Sequence, residues 1–162
     1  MSTKLSYDLT YDAPLLAVGE MLMDPAFREE VCDAQGVLRH TVTVSQEGGG
    51  MKVVVDQVQS AEGIPGFARK FVGDEINIVQ TEDWTAPAKG NLHIAIPGKP
   101  AEMTGTALLT EDPDGTTETV NLSVKVNIPF VGTKIEGLVA DLLSRALRAE
   151  HRVGVDWLAA RR

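Results

Sequence analysis

The stretch from Thr133 to Ala160 limits what this chain can fold into more than any other. Ile135, Leu138, Val139, Leu142, Leu143, Ala146, Leu147, Val153 and Trp157 recur in three- and four-residue steps, one apolar stripe on a helix of 3.6 residues per turn. Lys134, Asp141, Ser144, Arg145, Arg148, His151 and Arg152 fall on the other side, with Asp141 and Arg145 at the i,i+4 spacing that favours a pair. Pro129 and Gly132 break whatever precedes, and Thr133 with Glu136 stand in capping-box spacing. At 1.5 Å per residue the helix is roughly 40 Å long, enough to cross a small domain. An apolar face of that length needs a sheet to lie against. Gly137 and Gly154 interrupt the helix, each a place for close packing or a bend.

The rest of the chain supplies that sheet. Leu5, Tyr7, Leu9 and Tyr11 alternate with polar residues, the period of a half-buried strand. Asp12-Ala13-Pro14 and Asp24-Pro25 each start a short helix, and Gly36 stops the second. From Val37 the pattern changes to strands at 37–46, 51–58, 74–85, 88–96, 101–111 and 116–128. Gly48-Gly49-Gly50 and Asp112-Pro113-Asp114-Gly115 read as tight turns, so the pairing is antiparallel. Gly63 to Gly73 breaks the series: it is too apolar for an exposed turn, and Phe67 and Phe71 at i,i+4 fit a single helical turn. There are no internal repeats or linkers, so residues 1–162 are expected to form a single domain.

Composition excludes some functions. A net charge of −8 opposes a nucleic-acid-binding face or electrostatic docking on anionic lipid. No apolar run approaches a membrane span, and the Met-Ser-Thr-Lys-Leu-Ser start lacks a secretory h-region, so a cytoplasmic location is expected. Cys32 is the only cysteine and His40, His93 and His151 are scattered, so neither a disulfide nor a metal site is expected, and no cofactor. Cys32 reads as a small buried hydrophobe rather than a nucleophile. The three glycines at 48–50 are a turn and not a phosphate loop, since no Lys-Ser/Thr follows.

The order strand, two short helices, antiparallel strands and long C-terminal helix resembles the helix-grip order of START-like (SRPBCC, pollen-allergen-like) domains, an α+β fold of about six to seven strands wrapped round the last helix. The run Ile128-Pro129-Phe130-Val131-Gly132-Thr133-Lys134-Ile135-Glu136 is similar to the start of the last helix in a largely actinobacterial family of such domains with no assigned activity. Ile64-Pro65 through Phe71-Val72-Gly73 to Gln80-Thr81-Glu82-Asp83-Trp84 is similar to the same family. The resemblance implies a cavity between the sheet and the last helix, with Phe67 and Phe71 at its mouth and inward helix positions such as Val139 and Leu143 along one wall. The competing reading is a closed core filled by the same residues.

Further residues, Glu150, Trp84, Gln80 and His40 among them, are candidates for that site. Glu150 interrupts the apolar stripe between Ala146, Val153 and Trp157; it is either a polar anchor or acid–base group with a raised pKa, or it reaches an arginine, a backbone N–H or solvent near the fraying helix end. Trp84 shares strand parity with Ile76, Ile78, Gln80 and Glu82, so Gln80 and Glu82 offer hydrogen bonds inside the site unless a bulge or flipped parity makes them surface residues. His40 shares parity with Val42 and Val44 and is either a cavity group or a hydrogen-bonded edge histidine.

These readings converge on a hydrophobic small molecule, lipid-like or polycyclic, bound in the cavity by a carrier or sensor, with no catalytic residue assigned. Two alternatives stand beside it: a cyclase- or aromatase-like enzyme using a cavity carboxylate or histidine, and an interaction module with a filled core. No nucleic acid and no stable membrane insertion are expected, and the sequence leaves the oligomeric state open.

Overall fold

The computed structural model describes residues 2–162. In chain order it runs β1 (Thr3–Tyr11), α1 (Leu15–Leu22), α2 (Pro25–Ala34), β2 (Arg39–Glu47), β3 (Gly50–Ser60), α3 (Gly66–Val72), β4 (Glu75–Ala86), β5 (Lys89–Ala95), β6 (Ala101–Asp112), β7 (Gly115–Val126) and α4 (Gly132–Ala160). The strands form one antiparallel sheet in the order β1-β7-β6-β5-β4-β3-β2. Consecutive strands from β2 to β7 are neighbours; β1 joins the far edge beside β7. The α1–α2 segment therefore carries the chain from one edge of the sheet to the other. This is the α+β helix-grip fold.

The turns follow from local chemistry. The β2–β3 hairpin turns on Gly48 and Gly49, with Glu47 opposite Gly50 and Gly48 at φ 58°, in the left-handed region open to glycine. Asp112 pairs with Gly115 across the β6–β7 turn, and the Asp112 side chain accepts from the Asp114 N–H at 2.8 Å. At α2, Asp24 accepts from the Ala26 N–H at 2.9 Å and Pro25 takes a first-turn position. The Gly63–Gly73 stretch does contain a helix, α3, and its loop is closed by the Ala61 N–H donating to the Asp74 carbonyl at 2.9 Å.

The inner face of the sheet and the stripe of α4 share one core with α1 and α2, centred on Leu9, Val18, Leu22, Phe27, Val53, Leu122, Val124 and Trp157. Phe27 of α2 meets Trp157 of α4 edge to face, with centroids 5.7 Å apart.

The start of α4 differs from expectation. No side chain caps it, and Val131 occupies the cap position. Thr133 and Glu136 do not form a capping box. Glu136 is instead buried and turned to the sheet, where one oxygen accepts from the Val126 N–H and the other from the Thr3 hydroxyl, both at 2.9 Å. An unpaired N–H at the end of β7 is a stronger claim on a buried carboxylate than the helix's own solvated first turn. Nor do Asp141 and Arg145 form an ion pair among the described residues. His151, expected on the polar side, lies on β1, with Nε2 2.7 Å from the Thr10 carbonyl and its ring against Tyr11.

The two glycines in the interior of α4, Gly137 and Gly154, separate cleanly. A Cβ at Gly154 would lie 2.7 Å from the Tyr11 ring, so here the helix backbone touches β1. At Gly137 a Cβ would meet nothing within 4 Å. Gly137→Ala should stabilise the protein by up to about 1 kcal/mol through helix propensity. Gly154→Ala should destabilise it by about 1–3 kcal/mol, because the buried Tyr11 ring has nowhere to go. Urea denaturation of both variants checks this; equal shifts of the same sign would refute the close contact.

Candidate functional site

Over its first half α4 stands away from the middle of the sheet, and a cavity of about 470 Å³ lies between them. Its helix wall is Ile135, Leu138, Val139, Leu142, Leu143, Arg145, Ala146 and Ala149. Its sheet wall is Ile76, Ile78 and Gln80 of β4, Gln57 and Gln59 of β3, Ile94 of β5, Met103 of β6 and Val126 of β7. Ile64, Ala68, Phe71 and Val72 close one side from the α3 loop. Leu138, Val139, Leu142 and Leu143 remain only half-buried, as expected where a stripe faces a void.

Three glutamines of the sheet wall form a short row, and Gln35, Ser60, Glu62, Lys99 and Arg145 are the other polar residues of the lining. Gln59 Nε2 donates to Gln57 Oε1 at 3.1 Å, and Gln80 Nε2 donates to Glu82 Oε2. The β4 irregularity lies between Trp84 and Ala86, beyond this row, so Gln80, Glu82 and Trp84 all keep the inward face.

Behind Gln80, outside the cavity lining, is a buried cluster of charges. Arg28 of α2 is 3% exposed and makes a two-pronged contact with Glu82 at 2.9 and 2.8 Å, while its Nε donates to the Leu22 carbonyl at 2.8 Å. Trp84 Nε1 donates to Glu82 Oε1 at 2.9 Å. Glu150 of α4 comes to 3.7 Å from the same guanidinium, and Glu118 of β7 is buried nearby. The Glu118 Oε1 and Tyr11 hydroxyl have no partner among the described residues.

One guanidinium cannot offset three carboxylates in a low-dielectric interior, so the three separate in pKa. For Glu82, burial raises the pKa, but the charge and hydrogen bonds of Arg28, with those of Trp84 and Gln80, outweigh it and hold the carboxyl below its ordinary value. For Glu150, burial dominates; Arg28 opposes it, Glu82 adds to it, and the carboxyl is pushed up to about 7. Glu118 is raised well above its ordinary value by burial, then by Glu150 and Glu82, against the pull of Arg28. Tyr11 is also raised, first by burial and then by Glu150 and Glu118.

The expected site residues therefore fall into two groups. Phe71, Gln80, Val139 and Leu143 line the cavity together. Phe67 lies outside the lining, with the Lys134 ammonium 4.2 Å above its ring, a contact that ties α3 to the start of α4. Trp84 lines a second cavity of about 430 Å³, walled also by Leu15, Leu16, Gly19, Met51 and Pro87. Glu150 points into the charge cluster and not into the cavity. His40 sits beside α2, with Nε2 3.4 Å from Asp33, and faces neither cavity. Burial pushes the Cys32 thiol up to about 11, consistent with a packing role. Sequence reasoning missed Arg28 and Glu118. Arg28 reads as one more charge on an amphipathic helix, and only the strand parity of Glu118 with Val120 and Leu122 marks it as inward.

Among the described residues no group of three or more His, Cys, Asp or Glu is arranged to hold a metal ion, and no helix is long and apolar enough to cross a membrane.

A family model described as "Protein of unknown function (DUF2505)" matches residues 6–158. An uncharacterised protein of Mycobacterium tuberculosis is 28% identical over 120 residues, covering 70% of this chain and 69% of that one. Among solved structures, TTHA0849 from Thermus thermophilus superposes with a TM-score of 0.69 at 16% identity, covering 98% of both chains. The ZhuI aromatase/cyclase from Streptomyces sp. R1128 gives 0.66 at 15% identity, covering 99% of this chain and 96% of that one. Ara h 8.0201 gives 0.64 at 9%, covering 96% and 99%. At such identities the likeness is one of fold.

The Glu150 shift has a definite sign. A carboxyl whose pKa rises from 4.5 unfolded to about 7 folded holds its proton in the native state, so stability is full below pH 4.5 and falls as pH rises to about 7. Glu150→Gln copies the protonated form and removes that loss. It should match the parent protein near pH 4.5 and exceed it by about 1–3 kcal/mol at pH 8. Urea titrations across this range check it, and a gap independent of pH would mean that Glu150 does not titrate there.

Proposed function

The chain belongs to the DUF2505 family, whose description assigns no activity, and we propose that it binds a hydrophobic small molecule, lipid-like or polycyclic, as a carrier or sensor. The molecule lies between the sheet and α4, and residues 1–162 act as one START-like domain. The observation that carries this reading is the cavity of about 470 Å³, within the ordinary range of about 300–1,000 Å³ for small-ligand sites. Its wall is mostly apolar, with isoleucine, leucine and valine the largest share, so burial of apolar surface drives binding, and the glutamine row orients the ligand. The same volume supports this reading over an interaction module with a filled core.

An aromatase/cyclase among the similar folds raises acid–base chemistry on a bound polycycle as the alternative, with Glu150 as the acid. The placement of side chains favours binding alone. Glu150, Glu118 and Glu82 lie outside the cavity lining, and both Glu82 oxygens are already taken by Arg28, Trp84 and Gln80.

A hydrophobic reporter dye such as 1-anilinonaphthalene-8-sulfonate tests the reading. The parent protein should enhance and blue-shift its fluorescence saturably. Val139→Trp, which fills the cavity, should weaken that binding by about tenfold or more, with little change in melting temperature. Dye affinity unchanged by Val139→Trp would place the dye elsewhere and remove the support for this cavity.

A further inference from the structure

Building on that ligand-binding reading, we propose that the cavity selects apolar molecules bearing a hydroxyl or other hydrogen-bond donor, and that Gln80, oriented by the Arg28–Glu82 pair, makes the selection.

A glutamine amide normally offers either end, since its oxygen accepts and its nitrogen donates. Gln80 does not have that freedom. Its neighbour Glu82 is buried and clasped by Arg28 at 2.9 and 2.8 Å, which keeps it a carboxylate, and a carboxylate only accepts. Gln80 therefore turns its nitrogen to Glu82 Oε2. The reversed amide would set its oxygen against a carboxylate oxygen where water cannot screen the repulsion. Glu82 itself cannot swing aside, because Trp84 Nε1 holds its other oxygen at 2.9 Å.

The consequence falls on the cavity. Gln80 lines it, and its Oε1 has no donor among the described residues. Its cross-strand partners Val55 and Ile94 are hydrocarbon, and the nearby Gln57 amide makes no hydrogen bond to it. A ligand that displaces water from this wall without donating a hydrogen bond leaves the Gln80 carbonyl dry and unpaired. A ligand with a well-placed hydroxyl satisfies it, an advantage of about tenfold in affinity.

Gln57 completes the row with the opposite polarity. Its Oε1 already accepts from Gln59, so its own N–H groups remain to donate. It stands diagonally across from Gln80, since Gln57 pairs with Ile78 and Gln80 with Val55. An ether or carbonyl oxygen is rewarded there, and a hydroxyl can serve both amides.

Fluorescence titration of the full chain with pyrene, 1-methoxypyrene and 1-hydroxypyrene tests this. All three share a ring system; the two oxygenated ones can accept from Gln57, but only 1-hydroxypyrene can donate to Gln80. We expect 1-hydroxypyrene to bind about tenfold more tightly than 1-methoxypyrene. In Gln80→Leu that preference should shrink to about twofold or less, with pyrene bound at least as tightly as before. Gln80→Met provides the same readout if the leucine variant does not fold. Equal affinity of the two oxygenated probes, or a preference that survives both substitutions, overturns this selection rule while leaving a hydrophobic site in place. No saturable binding of any of the three overturns the ligand-binding reading on which it rests.

Discussion

The contact between Arg28 and Glu82 constrains more of this molecule than any other. It joins α2 to β4 inside the core, with both residues almost fully buried. Taking two charges out of water is costly, and what keeps them is saturation: Arg28 also donates to Leu22, and Glu82 also accepts from Trp84 and Gln80. Removing either partner alone would leave an uncompensated buried charge, worth about 3–5 kcal/mol. The pair also sets its neighbours. Burial raises the pKa of Glu150 and Glu118, and Arg28, held at close range by Glu82 and 3.7 Å from Glu150, does not reverse that rise. Because Glu82 is charged, Gln80 must present its nitrogen inward and its oxygen to the cavity.

One apolar stripe on α4 serves two purposes. Towards its C-terminus the helix is pressed against the sheet: Gly154 lies on the Tyr11 ring, Trp157 meets Phe27, and Leu158 is buried. At its N-terminus Glu136 ties it to β1 and β7, and Lys134 over Phe67 ties it to α3. Between these anchors Leu138, Val139, Leu142 and Leu143 span open space. A helix held at both ends and unsupported in the middle keeps a cavity open that hydrophobic collapse would otherwise close.

The elements were legible in the sequence because their signals are local. The period of α4, the alternation in β7 and the glycine and proline turns placed all seven strands to within about two residues at each end and located the helices, and the resemblance to START-like domains named the fold. The site was legible in part. Val139 and Leu143 follow from helical period, and the inward face of Gln80 from strand parity, since the β4 bulge falls beyond Trp84. Phe67, His40 and Trp84 follow the same rules yet lie outside the main cavity, because period and parity specify a face and not which part of that face meets the void.

The sequence by itself determined the secondary structure, the antiparallel pairing and the place of Glu150 on the α4 stripe, since each depends on spacing along the chain. The tertiary structure alone decided partners. Arg28 and Glu82 stand 54 positions apart, and Thr3 and Glu136 stand 133 apart. No local pattern encodes such meetings. They arise when α2 and α4 pack over the sheet, and burial then turns ordinary surface residue types into a charge cluster whose protons and hydrogen bonds are fixed by their neighbours.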